Sequence, residues 1–280
     1  MTVMVVTDAS SRLSPEDLER FGIRQVPLHV LLEDSDLRDG VDAIPNDIHT
    51  RAQVTTAGST PAELSDAYRR ALADSGGDGV VAVHISAALS STLSSAVGAA
   101  RAFGSAVRVV NSRSAAMGVG FVALAAARCA GEGADLDAVE AGARAAVGRG
   151  RAFIVVHRLD NLRRGGRIGT TASWLGTALS LKPLLRLDVD GRLVLAQRIR
   201  TTSKAHTALV DQVVEVIGER RAAVAVHHVD NHDVADALGA ALTERLPQLE
   251  TLTVTDMGPV LSIHLGAGAV GVVISLAPEN

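Results

Sequence analysis

The chain has 280 residues, of which 47% are apolar and 21% charged, a balance that excludes disorder and allows one large domain or two ordinary ones. With 31 acidic and 27 basic residues its net charge is −4, which argues against the nucleic-acid phosphate backbone as a main partner. A single cysteine, Cys129, excludes an intramolecular disulfide and a cysteine-rich metal site, and suits a reducing cytoplasm; it reads as a small buried hydrophobe.

The N-terminal segment has no basic region before a long apolar stretch, so no secretory signal is expected. Val3 to Val6 reads as a buried strand opening into the polar Thr7-Asp8-Ala9-Ser10-Ser11. Ser14-Pro15-Glu16-Asp17 is a helix start, with a serine cap, proline in the first position and acids in the first turn. A strand is expected around Val26 to Leu32, and the capping box Thr60-Pro61-Ala62-Glu63 opens a helix to about Ser75. Next come a strand from Gly79 to Ile85, a helix of small residues from Ser90 to Ala102, a strand from Val107 to Val110 and a helix from Ala115 to Gly131. This alternation predicts a largely parallel sheet. The Ala115 to Ala127 stretch falls short of the roughly 20 apolar residues that a membrane span needs, and no stable membrane insertion is expected.

The pattern changes near residue 150. Phe153 to Val156 reads as a strand, Asp160 to Arg164 as a helical turn, and Ser173 to Leu181 as a helix stopped by Pro183. Asp190-Gly191 between Leu184–Val189 and Leu193–Arg200 signals a hairpin, so antiparallel pairing begins here. A helix at Ser203 to Gly218, a strand at Ala222 to His228, a helix at Val234 to Arg245, and strands at Leu252 to Thr255 and Ala269 to Ile274 complete the chain. Two lobes are expected: residues 1–150, a three-layer α/β lobe, and residues 151–280, an α+β lobe with a mainly antiparallel sheet.

Several chemistries lack their motifs. Neither lysine, Lys182 or Lys204, follows a glycine, so there is no Walker A loop; HExxH and GxSxG are also absent. Gly266 to Gly271 spells GxGxxG, but the few residues after it leave no room for a dinucleotide-binding unit. His227-His228-Val229-Asp230-Asn231-His232-Asp233 reads as a strand end, turn and helix start rather than a metal cluster.

Four segments stand where strands end and helices start. Thr55-Thr56-Ala57-Gly58-Ser59-Thr60 is a hydroxyl-rich loop, and Ser86 to Thr92 joins a buried strand to a helix whose first amides lack intrahelical acceptors. Surplus hydroxyls beside such amides suit a carboxylate or phosphate; simple capping is the competing reading. Gly165-Gly166-Arg167-Ile168-Gly169-Thr170-Thr171 ends a stretch, Arg144 to Arg167, with seven arginines and one acid, Asp160, and arginine forks match anions. The fourth, Gly258 to Gly266, sets His264 among apolar residues, where a structural role competes with a functional one.

In this order, these segments resemble the DegV family, which includes the fatty-acid-binding subunits (FakB) of bacterial fatty acid kinase. The resemblance spans essentially the whole chain and rests on Val6 to Ser10, Arg38 to Asp42, Ile85 to Thr92, Asn111-Ser112, Leu162 to Ile168, Lys182-Pro183 and Gly258 to Gly268. It implies a two-lobed α/β fold with a long-chain fatty acid between the lobes and its carboxylate at the cleft mouth. The family's carboxylate ligands fall on Thr56 and Ser90, with Ser91 and His264 nearby. Arg167 and Arg200 match basic positions near the head group and the kinase-docking face. The glutamine usual in the first loop is missing, which leaves Thr55 and Thr56 both open as the ligand, and Ser91 stands where glycine is usual. Met117 and Phe121 are candidates to line the acyl tunnel, with Gly118 and Gly120 leaving room on the same helix. The resemblance implies a bacterial, cytoplasmic carrier without a cofactor, handing fatty acid to a kinase that returns acyl phosphate. A hydrolase or phosphoryl-transfer enzyme using the same cleft is the alternative from another class, and a lipid-sensing regulatory module is a third.

Overall fold

A computed structural model describes residues 2–51, 53–168 and 181–278. The chain forms two compact units, residues 1–44 with 55–148, and residues 45–54 with 149–280. The short 45–54 excursion carries one 3-10 turn, Ile48–Thr50, and has no signal in the sequence.

The first unit runs β1 (Met4–Asp8), α1 (Pro15–Arg20), β2 (Arg24–Val26), β3 (His29–Leu32), β4 (Ser35–Arg38), β5 (Thr55–Ala57), α2 (Pro61–Asp74), β6 (Val80–His84), α3 (Thr92–Ala100), β7 (Val107–Asn111), α4 (Met117–Gly131) and α5 (Leu136–Arg149). Its main sheet has the order β2-β1-β6-β7 with every pairing parallel. All five residues of β6 are buried, as a parallel strand covered on both faces requires. Leu64, Tyr68 and Ala71 of α2 and Ala96 and Ala100 of α3 pack on Val6, Val80 and Ala82. Helix α4 packs on β1 and β6, which completes the three layers.

Both capped helix starts form as expected: Ser14 Oγ accepts from Asp17 N, and Thr60 and Glu63 make a reciprocal capping box. The strand expected over Val26–Leu32 is instead two strands. Pro27, which has no N–H to donate, separates β2 in the parallel sheet from β3, which joins a small antiparallel sheet of order β4-β3-β5. Thr55 to Ala57 is therefore a strand rather than loop. Helix α5 had not been expected; Asp135 Oδ1 accepts from Ala138 N at its start, and Val139, Ala143 and Ala146 form its buried face. Cys129 is half-buried rather than buried, with its sulfur toward Gly142 of α5.

The second unit contains β8 (Gly150–Val155), α6 (Asp160–Arg164), β9 (Lys182–Leu187), β10 (Leu193–Ile199), α7 (Thr202–Ile217), β11 (Ala222–His228), α8 (His232–Arg245), β12 (Leu249–Asp256), α9 (Gly258–Leu265) and β13 (Val270–Leu276). Its sheet has the order β10-β9-β8-β13-β11-β12, antiparallel except for β11 with β12. Leu209, Val213 and Ile217 of α7 and Leu238 and Leu242 of α8 pack on Phe153, Val155, Val224, Val226, Val272 and Ile274. The hairpin at Asp190-Gly191 is present as β9–β10. Pro183 is the second residue of β9, opposite Arg198 and before the pairing with β8 begins, so its missing N–H breaks no bond there. The helix expected from Ser173, and Gly169 to Thr171, lie outside the described residues. Gly258 to Leu265, to which the sequence assigned no element, is helix α9 with Pro259 in its first turn.

Candidate functional site

Strands β1, β6 and β7 run in parallel, so Asp8, His84 and Asn111 end on one edge of the sheet, where α/β proteins place their sites. Asp8 is fully buried and fully used. One carboxylate oxygen accepts from the backbone and hydroxyl of Ser10; the other accepts from Ile85 N at 2.9 Å and from His84 Nδ1 at 3.0 Å. His84 Nε2 in turn meets the Tyr68 hydroxyl at 2.9 Å. Burial, and then the negative charge of Asp8, push the Tyr68 phenol well above its ordinary range, so it stays protonated and donates to His84. This buried chain fixes where the turn after β6 begins. The same edge holds three non-glycine residues at positive φ, Arg12 at 54°, Arg113 at 51° and Ala116 at 52°, a concentration of backbone strain of the kind found at functional sites.

The turn is held from both sides. Ser86 N donates to Ser114 O, and Asn111 Oδ1 accepts from Arg113 N and, at 3.4 Å, from Ala87 N. Ser90 Oγ lies 2.9 Å from Thr92 Oγ1 and accepts from Thr92 N, which brings two hydroxyls to the start of α3. Ser91 is the exposed N-cap residue and makes no side-chain capping bond.

The two hydroxyl segments meet at Gly58. A Cβ there would lie 2.6 Å from Thr92 Oγ1, 3.0 Å from Thr92 N and 3.2 Å from Ser91 Oγ, so only glycine lets the loop after β5 rest on the N-terminus of α3. Along β5, Thr55 is exposed and Thr56, opposite Val30, is half-buried. Alternation places Thr55 and Thr56 on opposite faces of β5, and Gly58 follows the strand's end. Ser59 Oγ donates to Pro27 O, and Thr60 closes the loop in its capping box. The segments that carry Thr56 and Ser90-Ser91 thus meet, through Gly58, in the first unit.

Met117 and Phe121 share a face of α4 at i and i+4, Met117 buried and Phe121 half-buried. The room expected at Gly120 is taken up. A Cβ there would lie 2.7 Å from Ser11 O and 3.2 Å from Leu13, so this glycine admits the chain following β1.

In the second unit, His264 on α9 packs against Gly165 after α6, where a Cβ would come within 2.6 Å of His264 Nδ1. The guanidinium of Arg167 donates to the same Gly165 carbonyl. Burial, and then the positive charge of Arg167, push the His264 imidazole down to about 4, so it is neutral at physiological pH. Burial likewise lowers the Arg167 guanidinium from its ordinary value. These two residues form one pair. Arg200, just beyond β10, is exposed and has no hydrogen-bond or ion-pair partner among the described residues. The GxGxxG segment is the turn from α9 into strand β13. Among the described residues no group of three histidine, cysteine or acidic side chains could hold a metal ion, His227 to Asp233 included.

The family model for DegV, described as an uncharacterised protein family, matches residues 2–277. The chain belongs to the DegV family. A DegV domain-containing protein of Mycobacterium tuberculosis is 61% identical over 276 residues, covering 99% of this chain and 98% of its relative. Among solved structures, a DegV family protein from Thermus thermophilus, described by its fatty acid binding, is 32% identical with a TM-score of 0.92 and covers 99% and 100% of the two chains. DegV from Bacillus subtilis, described as a fatty acid binding protein, is 26% identical with a TM-score of 0.88, covering 99% and 100%. Among the described residues no helix is long and apolar enough to cross a membrane.

Proposed function

We propose that this DegV chain binds a long-chain fatty acid and presents its carboxylate to a partner kinase, which converts it to acyl phosphate. The observation that carries the reading is the Gly58 contact, which gathers the Thr56 loop and the Ser90-Ser91 turn at the start of α3. Hydroxyls at such a terminus can take an oxyanion without a formal positive charge. Thr56 and Ser90 are the carboxylate ligands, with Ser91 beside them; Thr56 is favoured over Thr55 because it is the half-buried one of the two. The fatty acid binding described for the Thermus thermophilus and Bacillus subtilis proteins supports the ligand class.

Neutral donors suffice if the tail supplies the affinity. Burying ~14 methylenes at about 0.8 kcal/mol each contributes a gross ~11 kcal/mol, before association costs. Met117 and Phe121 are proposed to line the tail. In the second unit the neutral His264 and the positive Arg167 are an anion-recognising pair, and Arg200, exposed, is available to the acyl phosphate or to the kinase surface. The chain acts as carrier rather than catalyst and needs no cofactor.

Titration of delipidated protein with oleate tests this. Ser90→Ala and Thr56→Ala should each weaken binding about ten- to hundredfold, the loss of one hydrogen bond to a charged group. Unchanged affinity in both variants would return these residues to helix capping.

A further inference from the structure

His29 is buried in β3, and both of its ring nitrogens face carboxylates. Nδ1 lies 2.7 Å from Asp36 Oδ1 on β4, and Nε2 lies 2.9 Å from Glu63 Oε2 on α2. Both nitrogens can donate only in the imidazolium form. That same Glu63 oxygen accepts from Thr60 N at 2.9 Å and from Thr60 Oγ1 at 2.7 Å. The backbone of His29 pairs with Ala57 on β5. His29 therefore brackets the segment from Ala57 to Thr60, by its main chain at one end and through Glu63 at the other. Gly58, which rests on Ser91 and Thr92, lies inside that bracket.

We propose that His29 is a positioning residue whose imidazolium, clamped between Asp36 and Glu63, holds the Gly58 loop against the start of α3 and so sets head-group affinity. The proposal rests on the reading of Thr56 and Ser90 as carboxylate ligands. The groups around His29 support its charge. Burial opposes protonation, but hydrogen bonds to Glu63 and Asp36, with their charges, outweigh it and raise His29 above its ordinary value. Glu63 is lowered by Thr60 and His29 against the opposing effect of burial. On β4 the nearby cation, Arg38, is held by Asp42 at 2.9 Å, and β5 contributes no titratable side chain to this cluster. Because His29 is raised, the clamp is complete below about pH 6.5 and is lost as pH rises through the raised value.

The test combines histidine-ring nitrogen NMR with binding of decanoate and of 1-decanol, which lacks the carboxylate, from pH 6 to 10. His29 should be doubly protonated at pH 7. Decanoate affinity should fall about tenfold as His29 loses its proton, roughly one charged hydrogen bond, while decanol affinity stays level. Asp36→Asn, at a largely exposed carboxylate on β4, should move the NMR midpoint and the affinity midpoint together to lower pH. A singly protonated His29 at pH 7, a level decanoate profile, or a parallel fall for decanol would overturn the proposal. If decanoate does not bind at any pH, the fatty-acid reading fails on its own. The amide signals of Gly58 and Ser59 then decide the positioning role: movement with His29 titration upholds it, and no movement overturns it.

Discussion

Gly58 and Thr92 approach so closely that a Cβ on the first would lie 2.6 Å from the hydroxyl oxygen of the second. Thr92 N is itself 3.0 Å from that point and accepts no displacement without moving the start of α3. Gly58→Ala should therefore separate the Thr56 loop from the Ser90 turn. We expect fatty-acid affinity to fall about tenfold or more with a stability loss of about 1–3 kcal/mol, the usual cost of overpacking. Isothermal titration and urea unfolding check the two effects separately.

Tyr68→Phe removes the donor to His84 Nε2 in a fully buried chain. It should cost about 1–3 kcal/mol of stability, the penalty of an unsatisfied buried group, with fatty-acid affinity within a few-fold of the parent. Equilibrium unfolding measures the first and a binding titration the second. Loss of binding without loss of stability would mean that Tyr68 contacts ligand.

Much of this architecture is legible locally. The Ser14 cap, the Thr60–Glu63 box and the Asp190-Gly191 hairpin are short-range patterns whose chemistry acts within a few residues. Helix α5 is alanine-rich, so its buried face gave little hydrophobic contrast, although Asp135 was a usable cap signal. The break at Pro27 needed knowledge that its flanks join different sheets. In the site, the hydroxyl-rich segments could be seen as strings of residue types, but the Asp8–His84 contact spans 76 positions and that of His29 with Glu63 spans 34. Such pairs exist only once the sheets are assembled. Gly58 was part of the loop string, but its close approach to Thr92 joins distant stretches of chain and exists only in the folded protein.

Acid should weaken the fold through His264. Its folded value of about 4 lies below the ordinary 6.5, so the unfolded chain takes up the proton first as pH falls. Stability from keeping this ring neutral is present above about pH 6.5 and is lost progressively as pH falls toward 4. His264→Asn, which cannot ionise, should flatten that part of the profile, a difference on the order of 2–3 kcal/mol between pH 7 and pH 4. Urea denaturation at the two pH values reads it directly.

Arg167→Ala and Arg200→Ala should separate binding from turnover. Oleate affinity is expected to stay within a few-fold of the parent, while acyl phosphate formation with a cognate kinase and ATP falls sharply, because phosphate recognition depends on charge-assisted guanidinium bonds. ATP-dependent product from the purified chain alone would instead make it an enzyme.

Native mass spectrometry of the purified chain, before and after delipidation, tests the central claim most directly. The account predicts one fatty acid per chain on purification and its return when palmitate or oleate is added to the stripped protein. A chain that arrives without a fatty acid and takes up neither would contradict it.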